Sequence, residues 1–274
     1  MNGYNCVVCI KQVPDTKKVT GQAMKADGTI NRAALPAIFN PEDRNALEAA
    51  LWVKETYGGT VTVITMGLPA ATAILREALW CGADRAVLVT DRKAAGSDTL
   101  ATSYILSQAV KRFNPDFVFC GRQAIDGDTA QVGPQIGEKL DCAVVTYLEK
   151  ILEVKDEGEG EGRKTLVTAV RDIGTGIERC RVRLPALFTV TDRFGELRPY
   201  RMRRVMGCKN AEPEILTCDD IGAEASRCGL AGSPTSVNKI VSVVLAGGDY
   251  KEVAPTDEGI RGLVDELAAD HTIG

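Results

Sequence analysis

Short apolar runs alternate with amphipathic stretches along the first 148 residues of the chain. In the amphipathic stretches, apolar side chains recur at helical spacing, as Leu47, Ala50 and Leu51 do, which is typical of a helix with one buried face. The apolar runs are typical of strands buried on both faces: CVVCIKQV (6–13), TVTVITM (60–66), RAVLVT (85–90), DFVFC (116–120) and AVVTYL (143–148). This alternation predicts a parallel sheet covered by helices on both faces, with right-handed crossovers.

Local signals also predict where the first helix begins and ends. The sequence NPED at 40–43 predicts its start, because Asn40 can cap a helix, proline fits the first helical position and acids suit the positive end of the helix dipole. Gly58 and the glycine after it predict its end. The polar stretch 16–32, which contains an Asp-Gly turn signal, predicts a hairpin-like excursion before this helix.

The pattern changes after residue 148. Alternating segments around a charged, glycine-rich loop predict an antiparallel addition to the sheet edge: 148–154, 165–170, 177–184 and 186–192. From residue 193 to about 237 there is little periodicity, which favours an extended arm that lies across a partner. A last helix is predicted at Asp257–Ala269. We therefore divide the chain into an α/β domain, 1–192, and a partner-binding region, 193–274.

Composition excludes several classes of function. A net charge of −4 with 5% aromatic residues argues against nucleic-acid binding. No apolar run is long enough to span a membrane, and the first apolar run begins too early for a signal peptide. A single histidine, His271, excludes a histidine metal cluster and argues against a catalytic triad, so we expect neither a metal site nor catalytic residues.

Nine cysteines, an odd number at scattered spacing, predict reduced thiols in the cytoplasm. Cys6 and Cys9 form a C-x-x-C motif, but within a strand these side chains point to opposite faces. We therefore interpret both as packed apolar residues and not as a metal or dithiol site.

The segment that follows the run 116–120 is the most informative for function. It reads GRQAIDGDTAQVGPQ (121–135) and opens a helix with glycine, amide and hydroxyl residues. Ligands of such sheets bind beyond the carboxyl ends of the strands, and free N–H groups at a helix N-terminus bind anions. Arg122 could meet a phosphate, whereas Asp126 and Asp128 suit capping or acceptance of hydrogen bonds from a sugar or base. A plain turn between strand and helix is the alternative interpretation.

Neither common phosphate-binding motif is present. The chain contains no G-x-x-x-x-G-K-[ST] sequence, and its first strand ends in IKQVPDT without glycines. The predicted phosphate site therefore sits late in the sheet. Asp98 and Thr99 begin another helix, in which Thr99 or Thr102 could contact a ligand, with ordinary capping as the alternative.

Five ordered blocks, which cover almost the whole chain, resemble the β subunit of electron-transfer flavoproteins. They are CVVCIKQVPDT, NPEDRNALEAAL, ITMGLPAATAILREALWCGADRAVLVTD, GRQAIDGDTAQVGPQ and IERCRVRLPALFTVTDRFGELRPYRMRRVMGCKN. The resemblance implies a nucleotide-binding, Rossmann-like parallel sheet with antiparallel edge strands and an extended C-terminal arm. It also implies an obligate heterodimer with a larger α subunit that holds an electron-carrying FAD.

The resemblance implies a nucleotide at the strand ends of this chain as well. In respiratory members this is AMP with a structural role. In electron-bifurcating members it is a second FAD, which takes a hydride from NADH and divides the electrons between a high-potential and a low-potential acceptor. We favour FAD because 126–128, 132–134 and GSPT at 232–235 resemble the bifurcating members, and small residues let a backbone approach a pyrophosphate.

The resemblance and the loop pattern together define the candidate residues. The cofactor-binding set is Cys9, Asn40, Met66, Asp98, Thr99, Thr102, Gly121, Arg122, Gln123, Ala124, Asp126, Gly127, Asp128, Thr129, Ala130, Gln131, Val132, Gly133, Pro134 and Gln135. The partner-binding set, which resembles the family's recognition loop, is Arg198, Tyr200, Arg201, Met202, Arg203 and Arg204. Met202 falls where the family's recognition loop has its apolar anchor, which is usually a leucine. An apolar tip ringed by arginines suits transient binding to acidic partners.

The expected partners are the α subunit, an acyl-CoA dehydrogenase or reductase, and ferredoxin or flavodoxin. Two alternatives stay open: a non-bifurcating β subunit with structural AMP, and a non-redox ATP-binding module. The second would be expected to need a glycine-rich triphosphate loop, and no lysine follows the glycines of 121–135.

Overall fold

The computed structural model describes residues 3–15, 35–158, 164–208, 211–235 and 251–273. The excursion predicted at 16–32 lies outside these ranges. The strands are β1 (Tyr4–Cys9), β2 (Gln12–Pro14), β3 (Ala37–Phe39), β4 (Gly59–Met66), β5 (Arg85–Val89), β6 (Phe117–Gly121), β7 (Ala143–Glu157), β8 (Lys164–Asp172), β9 (Ile177–Arg183), β10 (Ala186–Val190) and β11 (Glu214–Leu216). The helices are α1 (Pro41–Tyr57), α2 (Thr72–Cys81), α3 (Thr99–Lys111), α4 (Val132–Lys139), α5 (Met202–Gly207) and α6 (Asp257–Ala269).

Nine of the described strands form one sheet in the order β11-β5-β4-β1-β6-β10-β7-β8-β9. The pairs from β11 through β7 are parallel, and β8 and β9 add antiparallel strands at one edge. Strands β2 and β3 form a separate antiparallel pair. The predicted fold class, a parallel sheet with helices and antiparallel edge strands, is confirmed.

The placement of 186–192 at the antiparallel edge was wrong. Strand β10 lies between β6 and β7 and is parallel to both, and all five of its residues are buried. A strand buried on both faces belongs inside the sheet, because covering only one face would leave apolar side chains in water. The segments predicted separately at 143–148 and 148–154 form one strand, β7, which pairs with β10 along its first part and with β8 along the rest.

Each face of the sheet packs against its own helices. Helices α1 and α2 contribute Leu47 and Leu75 to one core, and α3 and α4 contribute Ile105 and Ile136 to the other. Cys6 packs in the first core and Cys9 in the second, as the strand pattern predicted. All nine cysteines are free thiols.

Helix α1 shows how local sequence sets the fold around the site. Pro41 occupies its first turn, and Gly58 ends it with a φ of 81°, a left-handed value that glycine adopts without strain. The expected cap is absent, because the side chain of Asn40 accepts no capping hydrogen bond from the backbone N–H groups of α1. That side chain points to another segment of the chain, which is described with the candidate site.

Part of the region expected to form an extended arm joins the sheet instead. Strand β11 pairs with β5 in register Glu214 to Val87, and Leu216 is buried. A three-residue strand is too short to produce a periodic pattern, so it could not be predicted from the sequence. The last helix, α6, has the predicted bounds, and its apolar residues Ile260 and Val264 are exposed. How residues 193–274 meet a partner stays a prediction.

Candidate functional site at the strand ends

Three neighbouring strands end at one edge of the sheet. Strand β1 lies between β4 and β6, with Cys9 opposite Ile64 on one side and Cys120 on the other. The chain runs from β1 outward to β4 and β5 and then returns to β6 on the other side of β1. Ligands of doubly wound sheets bind in the crevice at such a reversal of strand order. The segment 121–135, which leaves β6 and opens α4, borders this crevice.

Asn40 holds the first part of this segment. Its side-chain Nδ2 donates to the carbonyl of Gln123 at 2.9 Å, and its Oδ1 accepts from the N–H of Ile125 at 3.2 Å. Asn40 is fully buried, so these bonds satisfy groups that would otherwise be desolvated at a cost of about 1–3 kcal/mol each. Asn40 therefore fixes the loop instead of capping the helix.

Glu42 holds the same segment by its charge. It accepts from Nη2 of Arg122 at 2.6 Å and from the N–H of Gln123 at 2.9 Å. The guanidinium of Arg122 also lies 5.7 Å from the ring centroid of Tyr147. The charge of Arg122 is therefore already paired inside the chain, and its contact with a phosphate stays a prediction.

Asp43 joins the ends of two strands. Its carboxylate accepts from the N–H of Lys11 at 2.8 Å and from the N–H of Gly121 at 3.0 Å. Burial raises the pKa of Asp43 to about 7, although its hydrogen bonds with Asn40, Lys11 and Gly121 oppose that shift. A buried carboxylate thus sits directly beneath the crevice. Glu42 and Asp43 were interpreted from sequence only as helix-dipole partners.

The glycines of the segment have different roles. A Cβ on Gly121 would clash with Asp43 Oδ1 and lie 2.7 Å from the carbonyl carbon of Glu42, and one on Gly133 would lie 2.8 Å from Cγ2 of Thr189. These two glycines therefore allow α1 and β10 to approach the loop. At Gly127, no atom of the described residues lies within 4 Å of the Cβ position. Only Gly127, then, faces open space in which a ligand could approach the backbone.

Helix α4 provides donors to the crevice. The N–H groups of Val132 and Gly133 have no acceptor within the helix, because they belong to its first turn. The residues before it, Asp128 and Ala130, adopt left-handed φ values of 48° and 53°. Alanine rarely adopts this conformation, which costs about 1–3 kcal/mol when the surroundings impose it. Backbone of this kind is characteristic of a functional segment.

Most polar side chains of the candidate set are engaged with one another. Asp126 pairs with Nζ of Lys11 at 2.7 Å, and Asp128 accepts from Gln123 at 2.9 Å. Two further bonds join α3 to α4, both at 2.9 Å: Thr99 Oγ1 to Gln131 Oε1, and Ser103 Oγ to Gln135 Oε1. These contacts bring together the segments 98–99 and 121–135.

The remaining candidate residues have other positions. Asp98 caps α3, accepting from the N–H groups of Leu100 and Ala101, and its other oxygen accepts from Thr235. This fits the alternative interpretation of Asp98 as an ordinary cap. Met66 is half-buried at the end of β4, and Thr102 is half-buried one turn into α3. Ala124 and Pro134 are half-buried and Thr129 is exposed within the loop segment.

The candidate partner-binding residues lie apart from the crevice, around α5. Met202 is 71% exposed, Arg201 and Arg203 beside it are also exposed, and Tyr200 packs edge-on against Trp80. Arg198 differs from the prediction, because its side chain is only 16% exposed and pairs with Glu48 at 2.7 Å. Arg204 donates to the carbonyl of Ala83 at 3.2 Å. Arg198 and Arg204 therefore position the loop on this chain, and Met202 forms its exposed tip.

Within the described ranges, no three His, Cys, Asp or Glu side chains come close enough to hold a metal ion. No helix in those ranges is long and apolar enough to cross a bilayer.

The fold and crevice define a doubly wound α/β domain with a strand-end site. Comparison with known proteins then identifies the family, since the model of the electron transfer flavoprotein domain matches residues 27–220. The electron transfer flavoprotein subunit beta of Clostridium acetobutylicum is 43% identical over 269 residues, spanning 98% of this chain and 100% of that protein. The chain therefore belongs to the electron transfer flavoprotein family, as a β subunit.

Two further relatives carry names that refer to reductases. The caffeyl-CoA reductase-Etf complex subunit CarD of Acetobacterium woodii is 41% identical over 270 residues, covering 97% of this chain and 99% of that protein. The acryloyl-CoA reductase electron transfer subunit gamma of Anaerotignum propionicum is 41% identical over 281 residues, covering 97% and 98%. The similarity thus extends to proteins that act with acyl-CoA reductases.

Proposed function

We propose that the strand-end crevice holds FAD and that this FAD accepts a hydride from NADH. Its electrons then pass to an acyl-CoA dehydrogenase or reductase and to a low-potential acceptor, ferredoxin or flavodoxin, in the cytoplasm. The observation that carries the proposal is the open backbone at Gly127 beside the first turn of α4, at the reversal of strand order. The two reductase-associated relatives support bifurcation over simple transfer.

The residues of the crevice fit a dinucleotide that is bound mainly by backbone. The N–H groups of Val132 and Gly133 suit the pyrophosphate, and the open side of Gly127 lets it approach the chain. The side chains of Arg122 and Asp126 are paired inside the chain and position the loop. Bound FAD would supply the hydride and single-electron chemistry, and the protein would supply orientation and exclude water.

The test is the nucleotide content of the protein purified with its α subunit. We expect about two FAD per heterodimer, because the β subunit adds one to that of the α subunit. One FAD together with one AMP would refute bifurcation and favour the structural-AMP alternative.

A single substitution tests the location of the site. Gly127→Val places a branched side chain in the open space, so we expect at least about tenfold weaker FAD retention, or about 1.4 kcal/mol. Gly176→Val is the matched control, because the Cβ position of Gly176 also has no atom of the described residues within 4 Å and lies outside the crevice. Equal flavin content in the two variants would contradict this location.

We further propose that α5 docks the acyl-CoA dehydrogenase or reductase. Met202 and Met206 are 71% and 73% exposed, next to exposed arginines, which suits an apolar contact inside an acidic partner surface. Met202→Glu should slow reduction of the partner at least about tenfold, because a buried charge and a lost anchor both weaken docking. Ile177→Glu, which alters a 66% exposed residue on edge strand β9, is the control. A Met202→Glu rate equal to that of the control would refute the docking site.

A further inference from the structure

A second cavity lies on the helical layer formed by α3 and α4. It has a volume of about 460 Å³ and is bounded by Leu100 and Tyr104 of α3, by Lys139 at the end of α4, and by the segment 226–234. None of the crevice residues Asn40, Gly121–Gly133 or Lys11 lines it. The cavity therefore shares no residue with the strand-end crevice, although its residues 232–234 belong to the GSPT stretch.

Two cations face this cavity, and the described residues that line it include no carboxylate. Burial lowers the pKa of Lys139, and the neighbouring positive charge of Arg227 lowers it further. Neither residue takes part in an ion pair found among the described parts of the chain. Two positive charges beside one cavity repel each other, and a bound anion would offset the free-energy cost of that repulsion.

Arg227 is held in place by an aromatic ring. Its guanidinium carbon lies 3.8 Å from the ring centroid of Tyr104, and the hydroxyl of Tyr104 accepts from the N–H of Glu224 at 3.0 Å. Tyr104 itself is 4% exposed. The guanidinium plane is thus ordered by a cation–π contact, which leaves its N–H donors available at the edge of the ring.

The two cations and the apolar walls of the cavity together indicate the kind of ligand. Two cations with several N–H donors match a doubly charged phosphate better than a single carboxylate. Leu100, which is 42% exposed, and Pro234 form apolar walls beside the cations and suit the organic part of a ligand. We propose that this cavity binds a phosphate-bearing small molecule, with Lys139 and Arg227 contacting the phosphate.

The experiment measures binding to the purified heterodimer with its resident nucleotide in place, so that the crevice is filled. Orthophosphate, pyrophosphate and adenosine diphosphate are titrated separately by calorimetry at low salt. The wild-type protein should bind at least one of the three saturably. The double variant Lys139→Gln/Arg227→Gln should bind at least about tenfold more weakly, because both phosphate contacts are lost. Stronger binding of adenosine diphosphate than of the inorganic ions would identify an organic phosphate as the ligand, and the reverse order a free ion.

Two further variants make the result specific. Lys111→Gln/Lys150→Gln removes the same charge from exposed positions outside the cavity and should bind as the wild type does. Ser226→Trp keeps both cations but fills the cavity, so it should also abolish binding. The proposal is overturned if the wild type binds none of the three probes, or if the cavity variants bind as tightly as the exposed-lysine control.

Discussion

Replacing Gly121 with alanine tests the packing of helix α1 against the loop. The new Cβ would lie 2.7 Å from the carbonyl carbon of Glu42 and 2.8 Å from the amide nitrogen of Asp43, and it would clash with Asp43 Oδ1. Two of these three atoms belong to backbone, so side-chain rotation cannot relieve the contact. Overpacking of this kind costs about 3 kcal/mol. Displacing Asp43 also weakens its 3.0 Å bond to the N–H of Gly121, which adds about 1 kcal/mol.

The expected loss of about 4 kcal/mol lowers the midpoint of thermal unfolding by roughly 10 °C in a domain of this size. Circular dichroism of the purified heterodimer measures the midpoint. Gly176→Ala is the control, since its Cβ position is open among the described residues and its midpoint should stay within about 1 °C of the wild type. A Gly121→Ala midpoint equal to that of the control would show that α1 does not press against the loop, contrary to the brace that Asn40, Glu42 and Asp43 form with it.

Three other substitutions test separate parts of the structure. Burial raises the pKa of Asp43 to about 7. Between about pH 4 and 7 the folded chain therefore holds a proton on Asp43 that the unfolded chain releases. The contribution of this residue to stability falls as the pH rises through that window. Asp43→Asn should flatten the fall of the thermal midpoint between pH 5 and 8, and an unchanged slope would contradict it. Phe188→Ala should lower the free energy of unfolding in urea by about 4 kcal/mol, because this fully buried ring stacks against two others; a loss below about 1 kcal/mol would refute that packing. Arg198→Ala should lower the free energy of unfolding by about 3 kcal/mol, because Glu48 loses its charged partner. Arg201→Ala, at an exposed position, should lower it by under about 1 kcal/mol. Equal losses would count against the burial of the Arg198–Glu48 pair.

The local elements were predictable because their signals are local. Helix α1 begins at Pro41 and ends before Gly58, where proline and glycine mark the boundaries, and α6 has the bounds that its apolar spacing predicted. The carboxyl ends of β1, β4 and β6 meet, as a parallel sheet requires. These features depend on residues within one turn or one strand.

The strand order was less predictable because pairing joins distant residues. The apolar run of β10 indicates a buried strand, but its position between β6 and β7 depends on which neighbours bury it best. Its uninterrupted run of residues that are all buried, ALFTV, is the signal in the sequence that could have placed this strand inside the sheet and not at the edge. β11 has three residues and no detectable period, so only its contact with β5 reveals it.

The candidate loop follows β6 and opens α4, as predicted from the sequence, but the residues that hold it in place were not predicted. Asn40, Glu42 and Asp43 hold residues that follow them by about eighty positions along the chain. From the sequence alone, an asparagine and two acids at the start of a helix are fully explained as capping and dipole residues. Only the fold shows that their side chains turn away from α1 and toward the loop.

This brace restricts what the crevice can offer a ligand. The N–H groups of Lys11, Gly121, Gln123 and Ile125 all point to strand ends, where they could bind an anion, but the side chains of the 40–43 turn already accept from them. A phosphate that entered there would find these donors already occupied by acceptors of the chain. The positive end of α4, beyond Gly127, is therefore where an anionic group meets donors instead of carboxylates. In the proposed site, the brace would thus direct a nucleotide toward the far half of the loop.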